Sequence, residues 1–169
     1  MAEEFQKLLT ECIRESFKNQ LNEVDEKKNA FALKAIELKK LIYEKSILLN
    51  CNSEINELKN FGEINIENGE LKLTDVDDEK MDDAIIKVES FNKCYNKHSF
   101  GINDLSDQFS SEIDNISDVF MNDLSQCNSN DRDTAKSCLN NTIRNTLKSF
   151  TRVCNKYNPI LDKIKNKLI

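Results

Sequence analysis

The chain has 169 residues, a net charge of −6 and 32% charged residues, with only three glycines and one proline. So few backbone breakers favour helices, and the acidic balance argues against a nucleic-acid partner, because phosphate binding is driven by clustered lysine and arginine. No apolar run approaches the ~20 residues that a membrane span requires. The sequence therefore predicts one all-α domain over residues 1–169, without a membrane span.

Six cysteines are spread along the chain, and none of them forms a Cys-x-x-Cys pair. Because the chain also contains a single histidine, a zinc or redox site is not supported, and we expect no metal and no cofactor. An even number of cysteines instead predicts three disulfides and a secreted, extracellular protein. The alternative is a cytosolic protein with buried free thiols. The residues concerned are Cys12, Cys51, Cys94, Cys127, Cys138 and Cys154.

Two sequons, Asn115-Ile116-Ser117 and Asn140-Asn141-Thr142, permit N-glycosylation and agree with secretion. The chain begins Met1-Ala2-Glu3-Glu4, which is charged at once and is not a signal peptide. We therefore expect Met1 to be an initiator added to a mature chain whose leader has been removed.

The first 50 residues predict helical structure, because apolar side chains return at helical spacing and the span contains neither Pro nor Gly. A single helix over residues 3–50 would be about 70 Å long, which is more than a compact domain of this size favours. The apolar repeat also skips a position at Lys27-Lys28. We therefore expect a break or strong bend near residues 25–29, with one uninterrupted helix as the alternative.

The periodicity changes after a short predicted helix, Ser53 to Asn60, which Ser53 is expected to cap. Residues 63–73 alternate apolar and polar side chains on both sides of Asn68-Gly69, a pair that tolerates the positive φ angles of a two-residue turn. The sequence thus predicts a small β-hairpin over about residues 63–73. Its apolar face should lie on the helices and comprises Ile64, Ile66, Leu71 and Leu73.

An acidic cluster occupies the junction between this hairpin and the next helix, and it comprises Asp75, Asp77, Asp78, Glu79, Asp82 and Asp83. We expect Thr74 or Asp75 to cap the helix, whose N-terminus favours negative charge. The spacing and central Gly of an EF-hand calcium loop are absent. The acidic cluster is the predicted partner-binding surface. The helix is predicted to reach Tyr95 with a stripe of Met81, Ile85, Val88 and Phe91.

Two long helices complete the predicted fold, one from about Ile102 to Cys127 and one from Asp131 to Tyr157. We expect Asn158-Pro159 to end the second, with a last amphipathic turn or two beyond it. The predicted fold is a disulfide-linked bundle of about five to six helices with one small hairpin. Its predicted disulfides are Cys127–Cys138, which flanks a tight corner, Cys51–Cys94 and Cys12–Cys154.

Catalytic chemistry is not indicated by any motif in the chain. His98 is the only imidazole and lies in a polar junction beside Ser99, so a Ser-His or Cys-His pair would depend on it alone. The sequence contains no Gly-rich phosphate loop and no nucleophile elbow, and its carboxylates are spread along helix exteriors. We therefore expect no catalytic residues and interpret His98 as a loop residue without a role.

The run Phe91-Asn92-Lys93-Cys94-Tyr95 follows a helix with Cys51 at its upstream end and precedes a long helix to Cys127 and the segment from Cys138 to Cys154. In this order of cysteines, residues 40–157 resemble the secreted insect proteins grouped by the tsetse EP-type domain and are similar to salivary proteins of blood-feeding insects. The resemblance implies a secreted protein of dipteran gut, saliva or haemolymph. It implies no catalytic residues, and the family's repeated tyrosines are mostly absent.

These observations predict a secreted, non-enzymatic binding protein that engages and inhibits a host or other extracellular protein with a basic surface. The acidic face would raise the rate of association with such a partner in a salt-sensitive way. Two alternatives stay open. The bundle core could hold a small hydrophobic ligand between its phenylalanines, which would make the protein a carrier. The third interpretation is a structural or storage protein.

Overall fold

The computed structural model describes residues 2–169 and shows an all-α, disulfide-linked bundle of five helices with one β-hairpin, which confirms the predicted fold class. Helix α1 covers residues 2–50, and the hairpin strands are β1 (Glu63–Glu67) and β2 (Glu70–Thr74). The other helices are α2 (Asn52–Leu58), α3 (Met81–His98), α4 (Ile102–Ser125) and α5 (Arg132–Leu168).

The chain divides into two compact units. Unit 1 contains the chain up to Phe31 together with Asp107–Asn158, and unit 2 contains Ala32–Ser106 together with Pro159–Ile169. Helices α1, α4 and α5 each contribute residues to both units. The prediction of a single domain over residues 1–169 therefore stays a prediction.

Helix α1 has no break near residues 25–29, so the predicted interruption is wrong. Its α-helical stretch Lys18–Ile42 runs through this point, because Val24 and Phe31 are both buried on one side of the helix. Lys28 takes the place of the missing apolar residue. Its ammonium lies 4.6 Å from the centre of the Phe150 ring, so the lysine stem covers apolar surface while the charge reaches water.

Two π-helical turns interrupt the α-helical geometry of α1 instead. They occupy Ile13–Phe17 in unit 1 and Tyr43–Ile47 in unit 2, and α-helix resumes after each one. Each π turn contains buried apolar side chains, so the helix accommodates an extra residue without leaving the core.

Unit 1 has an apolar core to which α1, α4 and α5 all contribute. The apolar residues that recur at helical spacing in the sequence of α5 form its buried stripe, which comprises Ala135, Leu139, Ile143, Leu147 and Phe150. Burying a side chain of leucine size stabilises a fold by about 1.5–3 kcal/mol. The partners of the stripe in the same core are Leu8, Cys12, Phe17, Val24, Leu124 and Cys127. This shared core makes the three helices of unit 1 interdependent.

Unit 1 also contains a cluster of three buried aromatic side chains. The rings of Phe31 and Phe109 are stacked with their centres 3.7 Å apart, and Tyr157 meets Phe109 edge-on at 5.6 Å. Such pairs contribute about 0.5–1.5 kcal/mol beyond the burial of their surface. The cluster joins residues from α1, α4 and α5.

Helices α1 and α5 run parallel within unit 1. Glu11, near the start of the chain, lies 2.7 Å from Arg132 at the first position of α5. Lys28, about five turns later in α1, lies over Phe150, about five turns later in α5. The two contacts fix the relative direction of the helices, and the first of them is an exposed ion pair that adds little stability by itself.

The predicted Cys12–Cys154 disulfide is wrong, because both residues are free, buried thiols. The parallel arrangement of α1 and α5 places them at different levels: Cys12 has Lys136 as its principal charged neighbour, whereas Cys154 lies near Lys28. The sixteen residues of α1 from Cys12 to Lys28 correspond to about 24 Å, far beyond the reach of a disulfide. Burial raises the pKa of both thiols, which keeps them protonated.

The other two predicted disulfides are confirmed. Cys127–Cys138 closes the corner between α4 and α5 in unit 1, with an S–S distance of 2.05 Å. Cys51–Cys94 joins the residue that follows α1 to the last turns of α3 in unit 2, with an S–S distance of 2.08 Å. Each unit therefore contains one covalent cross-link.

The β-hairpin has the predicted register. Ile64 pairs with Leu73 and Ile66 pairs with Leu71, so all four apolar side chains lie on one face. Three of them are half-buried, while Ile66 is 49% exposed. The face is thus only partly covered, which is consistent with a two-stranded sheet that depends on neighbouring helices for its stability.

The turn of the hairpin is docked on helix α1 within unit 2. Asn68 and Gly69 have φ angles of 54° and 78°, as the predicted two-residue turn requires. A Cβ atom at Gly69 would clash with the carbonyl carbon of Lys39 and would lie 2.7 Å from the nitrogen of Lys40. The Lys39 ammonium also lies 3.3 Å from Glu70. Only glycine allows this approach of two backbones.

The predicted helix caps are wrong. Ser53 lies inside α2, because the helix begins directly after Cys51 and no side chain caps it. The expected caps Thr74 and Asp75 are separated from α3 by a 3₁₀ turn, Asp78–Lys80, and no side-chain cap precedes α3 either. Asp75 instead adopts a φ of 57°, which turns the chain away from the hairpin.

Helix α5 continues through Pro159 to Leu168, so its predicted end at Asn158-Pro159 is wrong. A proline inside a helix costs about 3 kcal/mol, because it removes a hydrogen bond and crowds the preceding turn. Beyond the proline, Leu161 and Ile164 are 2% and 8% exposed. Burial of these two side chains offsets the cost and keeps the segment helical.

Replacing Gly69 by alanine should destabilise the protein more than replacing Gly101 by alanine. Both residues have positive φ, but nothing lies within 4 Å of a Cβ at Gly101. We expect a loss of about 1–2 kcal/mol for Gly101→Ala, and about 1–3 kcal/mol more for Gly69→Ala because of its contact with α1. Urea unfolding measures both values. Equal losses would contradict the docking of the hairpin turn.

Removing the two disulfides should have unequal effects. The bridges close loops of 43 and 11 residues, so chain entropy predicts losses of about 4 kcal/mol for Cys51→Ser/Cys94→Ser and about 3 kcal/mol for Cys127→Ser/Cys138→Ser. Chemical denaturation without reductant measures the difference.

Alkylation provides the control for these variants. In the unreduced wild-type protein we expect no labelled thiol while it is folded, and labelling of Cys12 and Cys154 alone after unfolding. A Cys12–Cys154 peptide in a non-reducing map would contradict the assignment.

Candidate partner-binding surface

Helix α3 buries a different stripe from the one predicted. Ala84, Phe91 and Tyr95 are 2%, 5% and 7% exposed, and they face the interior of unit 2. Met81 and Ile85 were expected on the buried stripe, but they are 41% and 50% exposed. The prediction was wrong for these two residues because the helix is rotated so that the small side chain of Ala84 faces inward.

The outward face of α3 carries apolar side chains at its start. Ile85 and Ile86 are 50% and 58% exposed, and helical spacing places Asp82 and Glu89 between them on the solvent side. Met81 lies one turn before Ile85 on the same side. An isolated exposed apolar residue needs no explanation, but three within six residues of one helix form a small patch.

All six residues of the predicted acidic cluster are exposed, and they precede or alternate with the residues of this patch in the chain. We call the combined feature the acidic–apolar surface, and it comprises Asp75, Asp77, Asp78, Glu79, Asp82 and Asp83 together with Met81, Ile85 and Ile86. Residues 75–83 contain these six acids and one lysine, whereas the whole chain has a net charge of −6. Most of the excess negative charge is therefore concentrated here.

The carboxylates of the acidic–apolar surface are not neutralised locally. Within the described residues 2–169, none of the six takes part in an ion pair. Asp82 and Asp83 lie in the first turn of α3, where the helix dipole favours negative charge. The remaining four precede the helix and face water. The surface thus presents a negative potential that an approaching cation can reach.

The helix that carries this surface is held at both ends within unit 2. Near its start, Lys87 lies 2.8 Å from Glu57 of α2. Near its end, Cys94 is bridged to Cys51, and the buried hydroxyl of Ser46 donates a hydrogen bond to the carbonyl of His98 at 2.7 Å. Asp82, Asp83 and the two isoleucines are therefore presented on a fixed helix.

Sequence reasoning found the acids but missed the apolar side chains as part of a surface. The signal was present, because Ala84, Val88, Phe91 and Tyr95 form a second helical stripe that overlaps the predicted one. A choice between the two stripes requires knowledge of what α3 packs against. Phe91 and Tyr95, whose ring centres are 6.0 Å apart, decide the orientation.

His98 is half-buried at the last position of α3, and its carbonyl accepts the hydrogen bond from Ser46. Among residues 2–169, no group of three or more His, Cys, Asp or Glu side chains is placed to hold a metal ion. The expectations that the protein has no catalytic residue and no cofactor stay predictions.

A pocket of about 470 Å³ lies in unit 1, beside the first two turns of α1 and the corner before α5. Charged and polar side chains outnumber apolar ones around it, which does not favour a hydrophobic ligand. It is lined by Glu4, Phe5, Lys7, Leu8, Glu11, Asn128, Ser129, Asn130, Arg132 and Ala135.

A cluster of polar side chains in unit 1 links α4 to α5. The Lys156 ammonium lies 2.9 Å from a carboxylate oxygen of Glu112, and the phenol of Tyr157 lies near the same carboxylate. The Tyr157 phenol and the Lys156 ammonium hold the pKa of Glu112 below its usual value, and Glu112 raises the pKa of Lys156. The group stabilises the contact between the helices and offers no nucleophile.

Comparison with protein-family models, with curated proteins and with solved structures finds no match to this chain. Among residues 2–169, no helix combines the length and apolar content needed to cross a membrane. The acidic–apolar surface therefore has to be interpreted from its own chemistry.

The Glu112–Lys156 contact should stabilise the protein only between acidic and strongly alkaline pH. A carboxyl whose pKa is lowered on folding contributes stability above its ordinary pKa of 4.5, and the contribution is lost as the pH falls below that value. The raised pKa of Lys156 sets the upper limit, since its contribution is lost as the pH rises beyond 10.5. Glu112→Gln should therefore lower the unfolding midpoint at pH 7, and the difference should vanish at low pH.

The matched control is Asp114→Asn, which removes an exposed carboxylate of the same helix that forms no ion pair among the described residues. Its unfolding midpoint should stay close to that of the wild type at both pH values. A pH-independent effect of Glu112→Gln would contradict an electrostatic role.

Proposed function

We propose that this chain is a secreted, non-enzymatic binding protein that engages and blocks an extracellular protein through the acidic–apolar surface. The partner presents lysine and arginine side chains around an apolar centre. The single observation that carries the proposal is the exposure of Met81, Ile85 and Ile86 in the same segment as six exposed carboxylates that form no ion pair within residues 2–169.

Charge supports a basic partner. Carboxylates that lack local counter-charges attract Lys and Arg over distances of about one Debye length, ~8–10 Å in physiological salt. Complementary charges mainly raise the rate of association and discriminate against acidic proteins. An acidic surface of this kind repels nucleic acids and anionic membranes, so a protein is the class of partner that fits.

The apolar side chains support a protein partner rather than a free cation. Small cations gain nothing from Ile85 and Ile86, whereas a protein surface buries them and excludes water from the surrounding charge pairs. Interfaces commonly have an apolar centre with a polar rim, and a few central residues supply most of the binding energy. Met81 adds a flexible side chain that adapts to the partner.

The two disulfides support secretion, because such bonds persist in oxidising compartments and are rare in the cytosol. The order of cysteines, which resembles that of secreted proteins of dipteran gut, saliva or haemolymph, extends the proposal to a host protein as the partner. The carrier of a hydrophobic ligand is less well supported, since the 470 Å³ pocket has a mainly polar lining.

The test is a screen of purified host plasma and extracellular-matrix proteins for binding to the full chain at low and high ionic strength. For a genuine partner, the variant Asp78→Asn/Glu79→Gln/Asp82→Asn/Asp83→Asn should lower the association rate about tenfold at low salt. Ile85→Ser/Ile86→Ser should instead raise the dissociation rate about tenfold, because these side chains lie at the centre of the interface.

The control variant Glu3→Gln/Glu4→Gln/Asp114→Asn/Asp118→Asn removes the same number of exposed charges from unit 1. It should bind with unchanged rates. If a partner binds all three variants with the same association and dissociation rates, its interface lies outside the acidic–apolar surface. If native mass spectrometry detects a lipid-like molecule bound to the purified chain, that result would favour the carrier function.

A further inference from the structure

The first sequon lies on the solvent-facing side of α4 in unit 1. Asn115 and Ser117 are both exposed, whereas Ile116 between them is half-buried and packs against the apolar core of unit 1. Ile116 thereby fixes the rotation of the helix, so that the amide of Asn115 faces solvent. A large substituent on this amide would not meet the core.

The second sequon is placed differently. Asn140 is half-buried in α5, and its amide oxygen is inaccessible to solvent and has no hydrogen-bond partner among the residues that the structure describes. Its neighbour Leu139 is fully buried, and Cys138 is bridged to Cys127. A large substituent on the Asn140 amide would have to turn the side chain out of this enclosed position. The structure thus separates two sequons that are equivalent in sequence.

An exposed apolar residue lies next to Asn115. Val119 is 51% exposed, and its position one turn later on α4 places it on the same side of the helix as Asn115. One face of a pyranose ring is composed of C–H groups, so the first sugar of an N-linked glycan can pack on this valine. A glycan at Asn115 would therefore cover apolar surface that the fold leaves in water.

We infer that Asn115 is an N-glycosylation site and that Asn140 is not. The inference rests on the secretion that forms part of the proposed function. The donor is an oligosaccharide linked through a diphosphate to a lipid. The Asn115 amide nitrogen forms a bond to C1 of the first N-acetylglucosamine, the bond from C1 to the diphosphate oxygen breaks, the lipid diphosphate leaves with the electron pair, and the amide loses one proton to a base.

The test is secretion of the full chain from eukaryotic cells behind a cleavable leader, with a flexible C-terminal tag that carries its own sequon. Peptide-N-glycosidase converts each glycosylated asparagine to aspartate, so peptide mass spectrometry locates the glycans. We expect the tag and Asn115 to be converted and Asn140 to remain asparagine. Asn115→Gln and Ser117→Ala should each lose one glycan, and Asn140→Gln should lose none.

Ser117→Ala keeps Asn115 in place and removes only the sequon, so loss of the glycan in both variants cannot be attributed to misfolding. Modification of the tag without modification of Asn115 would overturn the inference. Occupancy of Asn140 in the secreted, disulfide-bonded chain would also overturn it. Because the leader supplies secretion and no partner is involved, a negative result leaves the proposed binding function to be judged by its own test.

Discussion

Burial of one continuous apolar stripe on α5 determines how α1 and α4 pack in unit 1. The stripe from Ala135 to Phe150 needs apolar partners along its whole length, and the first half of α1 supplies them without interruption. A break in α1 near Lys28 would expose the C-terminal end of the stripe, including the Phe150 ring that the lysine stem now covers. Hydrophobic burial thus outweighs the cost of an unusually long helix, and it sets the direction in which α1 and α5 pair.

Local features of the fold could be predicted well from the sequence. The Asn68-Gly69 pair specifies its own turn through backbone sterics, and the stripe on α5 specifies its own buried side through periodicity. The Cys127–Cys138 bridge follows from a short corner between two helices. These predictions need no knowledge of distant partners, because the relevant residues are neighbours in the chain.

Features that depend on distant partners could not be predicted. Helix α5 passes through Pro159 because Leu161 and Ile164 beyond it are buried. The sequence alone shows the cost of a proline inside a helix but not this compensating burial. Cys12 and Cys154 do not pair because they lie at opposite ends of the contact between α1 and α5. The acids of the candidate surface were recognisable from composition, whereas the exposure of Ile85 depended on the rotation of α3. Charge is visible in a sequence, but the orientation of a helix is not.

The two buried thiols have a consequence for the handling and lifetime of this protein. In an oxidising medium, Cys12 and Cys154 are protected only by the packing of unit 1, since both are fully enclosed and protonated. Heat or denaturant that opens this core releases them into the neighbourhood of existing bridges, where thiolates attack disulfide sulfurs and scramble the pairing. Refolding on cooling would then give a mixture of disulfide isomers. The lifetime of the native protein is therefore set by how rarely its core opens.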